Sequence, residues 1–117
     1  MEISEDKVND VKIVALEGRL DTSNYTELQA ELLDIIQSGE TKLLLDLEKL
    51  DYISSAGLRV MLTIAKKLKA LQGVIALAAM NELTREVFEI SGFIRLFKVY
   101  ENREAALKEI AEVAEPG

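Results

Sequence analysis

Two kinds of segment alternate along this chain, and their order restricts the folds that it can adopt. Short runs of leucine, alanine and β-branched residues are typical of buried strands, whereas apolar residues at every third or fourth position are typical of helices. The runs predict four strands at residues 11–16, 42–47, 74–80 and 96–100. Residues 2–8 are expected to add a short antiparallel edge strand, because a turn-forming segment follows them.

Helical spacing predicts a helix after each of these four strands. The first is expected to follow Gly18, which would break the strand, and to be capped by Thr22 or Ser23. The second is expected from about residue 57 to 72, and the others after Asn81 and Asn102. The apolar face of the third is predicted to comprise four residues: Leu83, Val87, Phe88 and Ile90.

Alternating strands and helices imply parallel strand pairing through right-handed crossovers. The sequence therefore predicts an α/β fold with a mostly parallel mixed sheet of four to five strands and about four helices. With 117 residues and no repeat or linker, residues 1–117 are expected to form a single domain. Residues 114–117, which include the sole proline, are expected to fray as a short tail.

The composition excludes several classes of function. The chain has no cysteine and no histidine, which removes thiolate chemistry, the commonest general base and the usual transition-metal ligands. We therefore expect no metal, no cofactor and no catalytic residue. The net charge of −7 argues against binding to nucleic acid or to anionic membrane surfaces. Without a signal-like N-terminus or an apolar run of about 20 residues, a cytoplasmic location is expected.

The segment from Asp51 to Leu58 lies between the third strand and the helix that follows it. In open α/β sheets, partner and ligand sites gather beyond the carboxyl ends of the strands, where this segment is expected. From the pattern alone, Ser54 and Ser55 are interpreted as helix-capping residues. Gly57 is interpreted as a position of close approach or of unusual backbone angle.

Residues 50–58, with the sequence LDYISSAGL, resemble the signature of the anti-sigma factor antagonists, bacterial members of the STAS domain family. Three further segments resemble that family in the same order: EGRLD at 17–21, LLLDL at 43–47 and EISGF at 89–93. The resemblance thus extends over nearly the whole chain and implies a STAS-like domain.

The resemblance implies that Ser55 is the phosphorylated residue, with Ser54 as the second choice, because a second hydroxyl stands where aspartate is frequent. It further implies that the dephosphorylated protein binds an anti-sigma factor that is also a serine kinase, and so releases the sigma factor. Phosphorylation would end this binding, and a serine phosphatase would restore it. Such a protein is a substrate and a binding partner rather than an enzyme, expected as a monomer or weak dimer.

Nine residues are predicted to contact the partner: Asp21, Asp51, Ser54, Ser55, Ala56, Gly57, Leu58, Val60 and Ile64. Asp21 either caps a helix or contacts the kinase or its nucleotide-site magnesium. Val60 and Ile64 either pack in the core or form an exposed stripe suited to partner docking.

Other functions are also compatible with this composition. A receiver-type phosphoacceptor domain is similarly small and acidic, but Asp46 lies inside its predicted strand and is interpreted as structural. A STAS-fold scaffold or ligand-sensing module is a second alternative, although no glycine-rich phosphate-binding loop supports nucleotide binding. Enzymatic activity is disfavoured because no base stands in a motif with Ser55.

Overall fold

The computed structural model describes residues 1–113, so the predicted tail at 114–117 lies outside the described residues. Five strands and four α-helices alternate in it. They are β1 (Glu2–Val8), β2 (Val11–Leu20), α1 (Tyr25–Gln37), β3 (Lys42–Ile53), α2 (Ser55–Ala70), β4 (Val74–Ala78), α3 (Glu82–Ser91), β5 (Lys98–Tyr100) and α4 (Arg103–Val113). A short 3-10 helix at Phe93–Leu96 precedes β5.

The strands form one sheet in the order β1-β2-β3-β4-β5. β1 pairs antiparallel with β2, and every other neighbouring pair is parallel. The predicted α/β class, with a mostly parallel mixed sheet and four helices, is therefore confirmed. Because each parallel pair is joined through a helix, the carboxyl ends of β2, β3 and β4 lie at the same edge of the sheet.

Helices cover the two faces of the sheet unequally. In β2, Val14 and Leu16 belong to the larger core cluster, which also contains the buried side chains of α1, α2 and α3. The alternate residues Val11 and Ile13 belong to a smaller cluster on the other face, where α4 packs. This alternation follows from the two-residue period of a strand. Three helices thus lie on one face and one on the other.

Two strands extend beyond their predicted ends. Gly18 was expected to break β2, yet the strand continues to Leu20. Gly18 adopts φ +104°, and the register between β2 and β3 shifts between Ala15 and Glu17 and again between Gly18 and Arg19. Each shift places one extra residue in β3 opposite β2, and the pairing continues past the glycine. β3 likewise continues to Ile53, so much of the predicted junction segment is strand.

Two helix features also differ from prediction. Neither Thr22 nor Ser23 precedes α1 as its cap; Asn24 occupies that position. In α3, Phe88 is fully buried, but Leu83 and Ile90 are 60% and 79% exposed. The predicted apolar face of α3 is therefore wrong for these two residues, because the helix turns its Thr84 and Phe88 side toward the core.

Candidate functional site

The carboxyl ends of β2 and β3 meet where α2 begins. Leu20 and Ile53 are register partners at the last position of the two strands. The backbone N–H of Ser54 then donates to the carbonyl oxygen of Leu20 at 2.9 Å. This hydrogen bond fixes the start of α2 against the end of β2, beyond the carboxyl ends of the strands, as predicted for the junction.

The two serines have different structural roles. Ser54 has extended backbone angles, and its Oγ accepts a hydrogen bond from the Gly57 N–H at 3.2 Å, which makes it the N-cap of α2. Ser55 is the first residue of the helix and is exposed, and its hydroxyl makes no hydrogen bond to the side chains of residues 1–110 or to the backbone of residues 1–113. The expectation that both serines cap the helix is therefore correct for Ser54 only.

We expect Ser54→Ala to lower the free energy of unfolding by about 1 kcal/mol, because the Gly57 N–H loses its side-chain acceptor. Ser55→Ala should change the same quantity by only a few tenths of a kcal/mol, as is usual for an exposed position (about ±0.5 kcal/mol). Urea unfolding of both variants measures the difference. Equal losses would show that Ser54 is not the cap.

Gly57 allows α2 to approach the ends of β2 and β3 closely. A Cβ atom at this position would lie 2.6 Å from Cγ and 2.9 Å from Cδ2 of Leu20, closer than real Cβ atoms come. It would also lie 3.0 Å from Cγ1 of Ile53, which is a tight contact. The residue is buried, and its φ is not in the left-handed region. Of the two predicted roles for Gly57, close packing is therefore the correct one.

Of the two predicted alternatives for Val60 and Ile64, core packing is correct and the exposed stripe suited to partner docking is wrong. Their side chains are 1% and 0% exposed and belong to the core between α2 and the sheet. Gly57 and Leu58 are buried as well, so they pack beneath the surface of the site and present little surface to a partner. The apolar residues of α2 cover more than one stripe because the helix packs against both the sheet and α1.

The other predicted partner-binding residues remain at the surface. Asp51 and Ser55 are exposed, and Asp21, Ser54 and Ala56 are partly exposed. These five residues lie at the ends of β2 and β3 and in the first turn of α2, so the fold brings them to one edge of the molecule.

Asp21 holds the turn between β2 and α1. Its Oδ1 accepts hydrogen bonds from the backbone N–H of Ser23 at 2.9 Å and from the Ser23 hydroxyl at 2.6 Å. These bonds, more than the nearby Arg19, hold the pKa of Asp21 below its usual value. The side chain of Asn24 closes the turn by accepting from the Asp21 N–H and donating to the Arg19 carbonyl. Asp21 thus stabilises the turn and remains ionised beside the junction.

An arginine–tyrosine pair at the same edge was not predicted from the sequence. The guanidinium of Arg19 lies 4.2 Å from the centre of the Tyr52 ring, and its Nε is 3.9 Å from Oδ2 of Asp21. Arg19 and Tyr52 are register partners in β2 and β3. Because the register shifts just before them, their juxtaposition could not be deduced by counting residues along the strands.

At the surface the site presents the Ser55 hydroxyl and the carboxylates of Asp21 and Asp51. Within residues 1–113, no cluster of acidic residues could hold a metal ion, and no helix is long and apolar enough to cross a membrane. Asp46 lies away from the junction, where its Oδ2 pairs with Nε of Arg103 at 2.9 Å. Its Oδ1 also accepts from the Glu48 N–H, so its role is structural, as predicted.

Comparisons with known proteins agree with this architecture. The family model of the STAS domain matches residues 2–106. BtrV of Bordetella bronchiseptica, described as an anti-sigma factor antagonist, is 46% identical over 106 residues, 91% of each chain. A crystal structure described likewise, tm1081 from Thermotoga maritima, matches with a TM-score of 0.90 and 25% identity over 93% of this chain and 94% of that one.

A third similar protein is SpoIIAA of Bacillus, solved in its phosphorylated form. It has a TM-score of 0.76 and 22% identity, and the match covers 93% of this chain and 99% of that chain. At this identity the two proteins are shown to share a fold and no more. The family model and BtrV together extend the likeness through nearly all of the described residues, including the junction at the start of α2. The chain therefore belongs to the STAS domain family and, within it, to the anti-sigma factor antagonists.

Proposed function

We propose that the chain binds an anti-sigma factor with serine kinase activity through the surface around Ser55, and so releases a sigma factor in the cytoplasm. Phosphorylation of Ser55 by that kinase ends the binding, and a serine phosphatase restores it. The observation that carries the proposal is the uncommitted Ser55 hydroxyl, exposed at the first position of α2. The protein acts as a substrate and a partner rather than as an enzyme.

The choice of Ser55 over Ser54 rests on the helix cap. A kinase must bring the terminal phosphate of ATP into line with the attacking hydroxyl oxygen. Ser54 is only partly exposed, and its Oγ is already held by the Gly57 N–H, so it is less free than the Ser55 hydroxyl to align with ATP. Transfer to Ser55 leaves that hydrogen bond in place.

Phosphorylation is expected to act on the interface and not on the fold. A phosphate adds about −1.5 to −2 charges at pH 7, and a helix N-terminus accommodates such an anion through its dipole and free N–H groups. At an interface the same charge opposes desolvation and meets the carboxylates of Asp21 and Asp51. The phosphorylated form of SpoIIAA, which has a similar fold, supports the expectation that the domain stays folded.

The proposed contact surface comprises Asp21, Asp51, Ser54, Ser55 and Ala56. Asp21 is held in place by two hydrogen bonds from Ser23, so a partner would meet an ionised carboxylate that is already oriented. We propose that this carboxylate contacts the kinase, either directly or at the magnesium of its nucleotide site. A rigid contact of this kind costs little ordering entropy on binding.

Reconstitution of the switch tests the proposed function. The Ser55→Ala variant, immobilised, is expected to retain an ATP-binding anti-sigma factor from extract of the native cells, identified by mass spectrometry. That protein, purified with its sigma factor, should release the sigma factor when the wild-type chain is added. When ATP is added, the anti-sigma factor should bind its sigma factor again in the presence of the wild-type chain. In the presence of Ser55→Ala it should not. Failure of the chain to release sigma would contradict the proposal.

A further inference from the structure

A second surface lies at the other end of α2. A cleft of about 550 Å³ is bounded by the last turns of α2, the start of β4 and the segment from Arg95 to Lys98. Lys69, on its rim, is 14 residues beyond Ser55 in the same helix. At 1.5 Å per residue this separation is about 21 Å, so the cleft is distinct from the phosphorylation surface.

The cleft has an apolar floor, and two exposed apolar side chains stand beside it. Its floor is formed by buried side chains of α2, β4 and the segment before β5: Ala65, Leu68, Ile75 and Phe97. Leu96 lines the cleft and is 41% exposed. Leu71, one residue before the lining residue Gln72, is 49% exposed. Two large apolar side chains thus stand in solvent beside an apolar floor.

The charged residues that line the cleft are all cations: Lys66, Lys69, Arg95 and Lys98. All four are exposed, and among the side chains of residues 1–110 none of them has a carboxylate within 4.0 Å. The cleft contrasts with the chain as a whole, in which 21 acidic residues outnumber 14 basic ones. The cleft is therefore a positively charged surface on a protein of net negative charge.

Local effects account for only some of these residues. Lys69 lies in the last turn of α2, where a cation complements the helix dipole. Lys98 lies on the edge strand β5, where lysine discourages pairing with another sheet. Neither effect explains Arg95 in the 3-10 helix, or the exposed side chains of Leu71 and Leu96.

We propose that this cleft binds an acidic amphipathic segment of a partner protein, with apolar side chains on the floor and carboxylates at the rim. Charge complementarity favours such a segment over a second copy of the chain, because two molecules of charge −7 repel each other. An anionic membrane surface is disfavoured because it is extended and meets the negative charge of the whole molecule. A short segment meets mainly the charges within about 8 Å of the cleft, which are positive. The open rim suits a polypeptide better than a small ligand, since small-ligand sites bury most of the ligand surface.

A labelled peptide tests the proposal. The probe is a twelve-residue fluorescent peptide of aspartate and glutamate with leucine at every third or fourth position, titrated with the full chain by fluorescence anisotropy. Lys66→Glu/Lys69→Glu is expected to weaken binding about tenfold or more. The control, Lys67→Glu/Lys108→Glu, changes the net charge equally at exposed residues outside the cleft and should weaken binding by no more than about twofold.

Further measurements distinguish the proposed segment from other ligands of the cleft. Leu96→Ser should weaken binding, and a peptide with serine in place of leucine should bind poorly; equal binding of the two peptides would overturn the proposal. So would equal weakening by the two lysine pairs, or no binding of the probe. Binding of the chain to phosphatidylserine vesicles in preference to the peptide would assign the cleft to membranes instead. Ser55→Glu should leave peptide binding unchanged, which separates this surface from the proposed switch.

Discussion

Ser55→Glu is expected to weaken binding of the chain to its anti-sigma kinase by about a hundredfold, equivalent to about 2.7 kcal/mol. The substitution places a carboxylate in the proposed interface, which already contains the carboxylates of Asp21 and Asp51. Its charge must lose water on binding and repel carboxylates that are already present. Isothermal titration calorimetry with the purified kinase measures the dissociation constants.

Two variants make this result specific. Ser55→Ala should bind within about threefold of the wild type, because it removes an exposed hydroxyl and adds no charge. Phosphorylated wild type should bind more weakly than Ser55→Glu, because the phosphate carries about −1.5 to −2 charges. If Ser55→Glu and Ser55→Ala bound equally, charge at this position would not control the interaction.

Gly57→Ala is expected to lower the free energy of unfolding by about 2 kcal/mol, although alanine normally stabilises a helix relative to glycine. The added Cβ would lie 2.6 Å from Cγ and 2.9 Å from Cδ2 of Leu20, whose side chain is fully buried. The start of α2 must therefore move or the core must distort. Thermal or urea unfolding measures the loss.

The Leu20→Ala background provides the control for Gly57→Ala. Removing the Leu20 side chain removes the two closest contacts of the added Cβ, although it destabilises the protein by itself. Gly57→Ala should then cost less than it does in the wild type, as a double-mutant cycle would measure. An unchanged cost would show that steric contact with Leu20 is not the cause.

The sequence predicts the order and type of the elements because each is determined locally. Asn81 caps α3 through the Thr84 N–H at 2.7 Å, and Gly92 ends that helix in the left-handed conformation with φ +79°, both as expected. The short edge strand β1 and its turn also follow from the local pattern. These features depend on residues only a few positions apart.

Features that depend on distant residues were predicted less well. The local sequence around Gly18 predicts the end of a strand, but β2 continues past this residue because it pairs with β3. In α3, Leu83 and Ile90 lie in one helical stripe and Thr84 and Phe88 in an adjacent one, and only contact with the core determines which is buried. Periodicity alone cannot choose between two adjacent stripes.

The same distinction applies to the candidate site. The string around Ser55 identifies the segment, but a one-residue shift of the helix start decides which serine is the cap. The structure shows Ser54 in that position, with its oxygen on the Gly57 N–H. Contacts such as the stacking of Arg19 on Tyr52 arise from strand pairing across the sheet and carry no local signal.

Mapping the phosphate tests the central claim most directly. Trypsin cleavage after Lys49 and Arg59 yields the peptide of residues 50–59, which contains both serines and Tyr52 as its hydroxyl-bearing residues. After incubation with the kinase and ATP, fragmentation of this peptide in a mass spectrometer should place one phosphate on Ser55. Phosphate on Ser54 with Ser55 unmodified, or no phosphate on this peptide, would contradict the account.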